Sequence, residues 1–146
     1  MPEERHRPDG YRHVDPDAVD DLHEGTDLPG EFRPLTEALG GRQLAATLVR
    51  VPPHTDFERG TAHTHQHLEE IYLVSHGTLT MRCGGDVIVL QAPAAVRVDP
   101  QTPRSHRNEG DEPVEMWVVS PWMEGSDSAK LSGFWEPSLD AHRRLR

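Results

Sequence analysis

The stretch HTHQHLEEIYLVSHG, residues 63–77, puts His63, His65 and His67 on alternate positions and follows them with Glu69 and Glu70. From Leu68 to Gly77 it is rich in β-branched and aromatic residues and ends on glycine, the pattern of a strand closed by a turn. Residues two apart on a strand share a face and lie roughly 6.5–7 Å apart. His63, His65 and His67 therefore share a face, with the outer pair about 13 Å apart. Metal–nitrogen bonds are only about 2.0–2.1 Å, so one ion cannot easily reach all three on a straight strand, whereas His63 and His65 can converge on it. Glu70 has the opposite parity, so the chain must bend to bring it to the same side, and Gln66-His67-Leu68 is the candidate bend. Two imidazoles and a carboxylate make a facial triad with positions open for substrate or oxygen. Such a set suits Fe(II), Mn(II), Ni(II) or Zn(II), and spacing does not choose among them. A polar cluster without metal is the competing reading, because motif matches carry false positives.

Around this stretch the pattern is of short strands. QLAATLVRV (43–51), GTLTMRC (77–83), DVIVL (86–90), AAVRV (94–98) and EMWVVS (115–120) are apolar runs separated by turn residues. Gly84-Gly85 between two of them is a hairpin signal. Runs at this spacing predict an antiparallel sandwich or barrel without a long helix. Residues 1–35 read as a polar extension. Within it VDPDAVDDLHEG predicts a short helix with Asp15 as N-cap, Pro16 at N1 and Gly25 as its end, and TDLPGEFRPL reads as loop. Residues 36–122 form the predicted barrel. Residues 123–146 form a tail in which Phe134 and Trp135 anchor on the barrel surface and a small helix follows Pro137.

The chain has 146 residues and a formal net charge of −10, with 25 acidic and 15 basic residues, of which Lys130 is the only lysine. Such an acid excess disfavours nucleic acid and anionic membranes as partners. One cysteine, Cys83, allows no internal disulfide, which suits a reducing cytoplasm. The opening MPEERHRPDG lacks the apolar run of a signal peptide. The expectation is a soluble cytoplasmic protein. His6, His13, His23 and His142 are assigned to solvent.

The residues of the opening stretch resemble the first motif of the cupin superfamily: His63-x-His65, four residues, Glu70, six residues, Gly77. The family's leading glycine would fall on Phe57. The resemblance spans roughly 43–120. It implies an all-β double-stranded β-helix, the cupin or jelly-roll barrel, with the site inside. It also implies a homodimer paired through the sheets, for which exposed edge strands give a motive. The second motif departs from the family. Pro93-Ala94 replaces a glycine-aspartate turn, PQTPRSHRN (100–108) resembles the family's proline turn with Asn108 at the asparagine, and the expected histidine falls on Arg104. Arginine has no lone pair to give a metal, so Arg104 cannot be the fourth ligand. Three arrangements remain open. The ion keeps three protein ligands, His106 supplies the fourth, or Arg104 pairs with Glu70 and the site is metal-free.

The function expected from these residues is that of a single-domain protein with a divalent-metal site inside the barrel, acting on or binding a small acidic or oxygenated metabolite; catalysis is left open, with metal-dependent isomerase, dioxygenase and decarboxylase chemistry all compatible. His63, His65, Glu70 and His106 are the candidate ligands of a divalent Fe, Mn, Ni, Zn or Cu ion. His106, Arg104 and Tyr72 are the candidate catalytic residues. His106 would be ligand or general base, Arg104 would clamp a carboxylate or enolate oxygen, and Tyr72 shares parity with Glu70. Met81 and Cys83 are read as lining or core, and His67 and His76 as flanking positions. The alternative is a non-catalytic small-molecule-binding or sensing cupin, metal-free if Arg104 takes the ion's place. A weaker third reading is a partner-binding regulator acting through the N-terminal extension.

Overall fold

The computed structural model describes residues 10–135. His6, His142 and the helix expected after Pro137 fall outside these residues. Two antiparallel sheets face each other. The strands are β1 (Glu31–Pro34), β2 (Leu44–Val51), β3 (Thr55–Asp56), β4 (Ala62–His65), β5 (Glu70–His76), β6 (Thr78–Cys83), β7 (Asp86–Gln91), β8 (Ala94–Val98), β9 (Arg104–Asn108), β10 (Val114–Pro121) and β11 (Ser128–Leu131). One sheet runs β1-β2-β10-β5-β8. The other runs β11-β4-β9-β6-β7, with β3 beside β9. The chain passes repeatedly from one sheet to the other, which is the double-stranded β-helix.

The alternation in the sequence becomes the two faces of each strand. In β5, Tyr72 and Val74 are buried while Ile71 and Leu73 are exposed. Val49 and Val51 from β2, Leu79 and Met81 from β6, Val98 from β8, and Val114 and Met116 from β10 complete the core, with Phe57 at its edge. Burying each such side chain contributes about 1.5–3 kcal/mol before the entropy cost. The predicted hairpin joins β6 to β7, pairing Cys83 with Asp86 across Gly84-Gly85. Gly77, the glycine that closes the opening stretch, has φ +80°. A Cβ there would lie 2.5 Å from the Pro113 carbonyl oxygen, so the turn from β5 to β6 tolerates no side chain.

The structure corrects three expectations. The N-terminal helix is a single 3₁₀ turn, Pro16–Ala18. Asp15 caps it, accepting from the Asp17 amide at 3.0 Å. It does not continue to Gly25 because Asp21 accepts instead from the amides of His23 (2.9 Å) and Phe32 (2.8 Å), tying the segment to the barrel. The stretch read as loop contains β1, an edge strand pairing Glu31 with Arg50 and Pro34 with Thr47. Its two prolines hid it, but proline is compatible with an edge. The tail also contributes a strand, since β11 pairs Ser128 with His65 and Lys130 with His63. Beyond β11 the tail is anchored by two arginines, with Arg82 over the Phe134 ring at 4.5 Å and Arg107 over the Trp135 ring at 4.2 Å. Among the described residues the longest helix is α1 (Thr36–Leu39), and no helix is long and apolar enough to cross a membrane.

Candidate metal centre

His63 and His65 lie on β4 in one sheet, and Glu70 opens β5 in the other. The bend between them crosses the barrel, so the two imidazoles and the carboxylate meet in the interior. His63 Nε2 is 3.4 Å and His65 Nε2 3.3 Å from the same oxygen, Glu70 Oε1. Bonds of about 2.1 Å to one ion, at tetrahedral or octahedral angles, require neighbouring donors about 3.0–3.4 Å apart. Both histidine–carboxylate separations fall in that range, and all three donors lie within 4.8 Å of one another. Among the described residues this cluster is the one group of three or more His, Cys, Asp or Glu whose donor atoms all lie that close.

Two carboxylates fix which nitrogen each ring presents. His63 Nδ1 is 3.0 Å from Glu58 Oε1, and His65 Nδ1 is 2.7 Å from Asp127 Oδ1. A carboxylate accepts, so each Nδ1 carries the proton it donates and each Nε2 is the atom directed at the shared point. The second Asp127 oxygen accepts from the amides of His67 (2.7 Å) and Leu68 (3.2 Å). It thereby holds the Gln66-His67-Leu68 bend that the parity of Glu70 required. Neither Glu58 nor Asp127 belongs to the histidine stretch that marks the site in the sequence. Glu58 precedes the motif in a loop, and Asp127 arrives from the tail because β11 docks on β4.

The electrostatics suit a cation. Burial works against a charge on His63, but its hydrogen bonds to Glu58 and Glu70 outweigh that and hold its pKa up at about 9. Burial pushes the Glu70 carboxyl up, and the bonds from His63 and Tyr72 more than reverse this, leaving it below the usual glutamate range. Asp127 is held at about 2, its amide and His65 bonds overcoming the cost of burial. The same carboxylates, Glu58, Glu70 and Asp127, place negative charge around the point where the two Nε2 atoms and Glu70 Oε1 meet.

The remaining predicted residues fall differently. Tyr72 faces the site and donates to Glu70 Oε1 at 2.8 Å, and burial and the Glu70 charge push its own pKa well up. Arg104 is completely buried and is the cross-strand neighbour of His63. Its Nε is 3.4 Å from Glu70 Oε1 without a hydrogen bond. Its terminal nitrogens donate to the carbonyls of Pro100 (2.8 Å), Thr102 (3.0 Å), Asp99 (3.2 Å) and Val98 (3.5 Å). The guanidinium thus ties down the turn before β9. It forms neither a two-pronged fork with Glu70 nor a free clamp for a substrate oxygen. His106 lines the same cavity as the triad, and its Nδ1 is buried without a hydrogen-bond partner. Burial pushes its pKa down. It is not among the mutually close donors of the cluster.

Asn108 is structural. Its amide donates to the Val51 and Glu112 carbonyls at 3.0 and 2.7 Å, and its oxygen accepts from the Gly110 amide. Met81 is core and Cys83 half-buried. His67, His76 and His13 are exposed. His23, assigned to solvent from sequence, is instead stacked between Phe32 (5.7 Å) and Phe57 (5.0 Å). Phe57 stacks in turn on His106 at 5.0 Å.

The cavity holds about 300 Å³. Apart from the triad it is bounded by Phe32, Thr47, Val49, Phe57, Glu58, Tyr72, His106, Met116, Val118 and Ser128. A two-sheet β-helix with an interior His-His-carboxylate cluster defines a cupin-type barrel, whose interior can hold a metal and a small molecule. The chain belongs to the cupin family, for the Cupin domain model matches residues 47–120, just over half of it. The solved structures it resembles share the fold at low identity. A cupin protein of Bacteroides fragilis is 20% identical, with a TM-score of 0.63 over 81% of this chain and 92% of its own. A cupin-superfamily sugar phosphate isomerase of Silicibacter pomeroyi is 16% identical, with a TM-score of 0.65 over 87% and 96%. A predicted oxalate decarboxylase of Thermotoga maritima is 19% identical, with a TM-score of 0.62 over 77% and 100%. No curated protein matches the chain.

Proposed function

We propose that this cupin holds a divalent transition metal through His63, His65 and Glu70 and uses it to bind and transform a small oxygenated metabolite. One observation carries the reading. Both imidazoles give Nδ1 to a carboxylate and turn Nε2 to a common point, 3.3–3.4 Å from Glu70 Oε1. Two separately oriented histidines are more than a structural ion pair requires, and outer carboxylates of this kind are what metal-binding histidines use. The ion would be Fe, Mn, Ni, Zn or Cu, and it would supply Lewis-acid polarisation or oxygen activation. The chain's own contributions are distinct. Glu58 and Asp127 fix the tautomers, Tyr72 bonds the ligating carboxylate, and His106 offers an unpartnered ring nitrogen at the cavity wall, as a fourth ligand or as a hydrogen-bonding group for the bound molecule. The isomerase and decarboxylase names of similar folds, together with dioxygenase chemistry, set the reactions to assay.

The test is metal analysis of protein purified without an affinity tag. Near-stoichiometric metal that is lost in the His63→Ala/His65→Ala variant supports the reading. A parent without metal, whose melting temperature is not raised by Fe, Mn, Ni, Zn or Cu, defeats it. A second reading, a non-catalytic sensing or storage cupin, is favoured by Arg104, since it removes the family's fourth ligand and spends its guanidinium on backbone. Ligand-induced stabilisation with no turnover in any assay would select it. A cytoplasmic setting fits the lone cysteine. A homodimer fits Ile71 and Leu73, each 39% exposed on the outer face of β5, and sedimentation equilibrium reads it.

A further inference from the structure

We infer that the molecule bound in this cavity is compact and uncharged, with an apolar body and one edge of oxygen donors, and is neither a phosphorylated sugar nor a dicarboxylate. This deepens the metal-centre reading and rests on it. Among the described residues that line the cavity there is no lysine and no arginine, while Glu58 and Glu70 are both there. Lys130 is exposed on β11, and Arg104, the nearest guanidinium, commits both terminal nitrogens to backbone carbonyls. A divalent ion would be largely balanced by Glu70 and its carboxylate neighbours. A dianion entering the cavity would meet Glu58 and Glu70 on its wall and no lysine or arginine there, the Arg104 guanidinium standing behind Glu70 with its Nε 3.4 Å from Glu70 Oε1, whereas phosphate and carboxylate recognition ordinarily enlists an arginine or lysine that faces the ligand.

The wall away from the triad is apolar on several sides. Phe32, Phe57, Val49, Met116 and Val118 contribute it. Such a surface favours a hydrocarbon or aromatic body. The volume of about 300 Å³ equals that of about ten waters, room for a single ring or a short chain. The polar groups that remain are neutral ones: Thr47, Ser128 and His106, whose Nδ1 is buried and unpartnered. They match hydroxyl or carbonyl oxygens.

The experiment is calorimetric titration of the metal-loaded protein with three probes at one pH and salt concentration. The probes are maltol (a neutral hydroxy-ketone ring), oxalate and glucose 6-phosphate, with metal content measured after each titration to show that the ion stays bound. Maltol is expected to bind at least about tenfold more tightly than either dianion. The Thr47→Lys variant, which places a cation on the cavity wall, is expected to raise oxalate affinity by about tenfold. Metal uptake with oxalate or glucose 6-phosphate bound as tightly as maltol, or with no probe bound, overturns this inference alone. Failure of the protein to take up metal overturns the metal-centre reading and this inference with it.

Discussion

Replacing Asp127 with alanine separates a metal-positioning role from a purely structural one. The Asp127 side chain is 5% exposed and makes three bonds: to His65 Nδ1 at 2.7 Å, to the His67 amide at 2.7 Å and to the Leu68 amide at 3.2 Å. The two amide bonds hold the bend and are worth about 2 kcal/mol together, allowing about 1 kcal/mol net for each. That loss shows as a lower midpoint in denaturant. The bond to His65 does something else. Without it the ring is free to rotate or to adopt the tautomer that protonates Nε2, and removal of such an outer partner lowers metal affinity about 10–100-fold. The assay is competition against a chelator of known affinity, run where the variant is fully folded. Asp21→Asn is the control, because it weakens a comparable pair of amide tethers without touching His63, His65 or Glu70. The expected result is a lower midpoint for both variants and weaker metal binding for Asp127→Ala alone. A variant with the lower midpoint but wild-type metal affinity would show that Asp127 only staples the tail, and the tautomer argument would fail.

Other outcomes follow from the same geometry. Glu58→Gln, acting on His63 as Asp127 acts on His65, should weaken metal binding by about tenfold or more in the same competition assay. Arg104→Ala should destabilise the fold by about 3 kcal/mol or more in urea, because the carbonyls of Val98, Asp99, Pro100 and Thr102 lose their shared donor and a fully buried side chain leaves a cavity; Arg104→Lys should not restore it, since an ammonium lacks the planar fork. Leu79→Ala, at a fully buried position, should cost about 2–5 kcal/mol while leaving metal stoichiometry unchanged. For pH, Asp21 is the cleaner probe. Burial raises its pKa, but the Phe32 and His23 amides lower it more, leaving it below 3.8 in the folded chain. Its contribution is therefore complete above pH 3.8 and disappears as pH falls through the folded value. A melting-temperature series should show a shallower acid loss in Asp21→Asn than in the parent.

The sequence by itself determined the strand-rich class, six of the strands and the grouping of His63, His65 and Glu70. Short apolar runs closed by turn residues mark β2, β5, β6, β7, β8 and β10, and in β5 the period of two also sets which face is buried. The His63-x-His65 spacing and the opposite parity of Glu70 even located the bend. Tertiary structure decided the rest, because the deciding contacts join residues far apart in the chain. Four-residue β1 and β11 carry too little pattern to stand out, and each exists because a longer strand offers it an edge. His23 is half-buried only because Phe32 and Phe57 flank it. Arg104 reads equally well as a fork for Glu70, a substrate clamp or a backbone tie, and the carbonyls of 98–102 settle that choice by lying where its terminal nitrogens reach. Asp127 is 62 residues from the histidine it orients, and no local rule of spacing or propensity can bring a carboxylate across that distance; only the docking of one strand against another does.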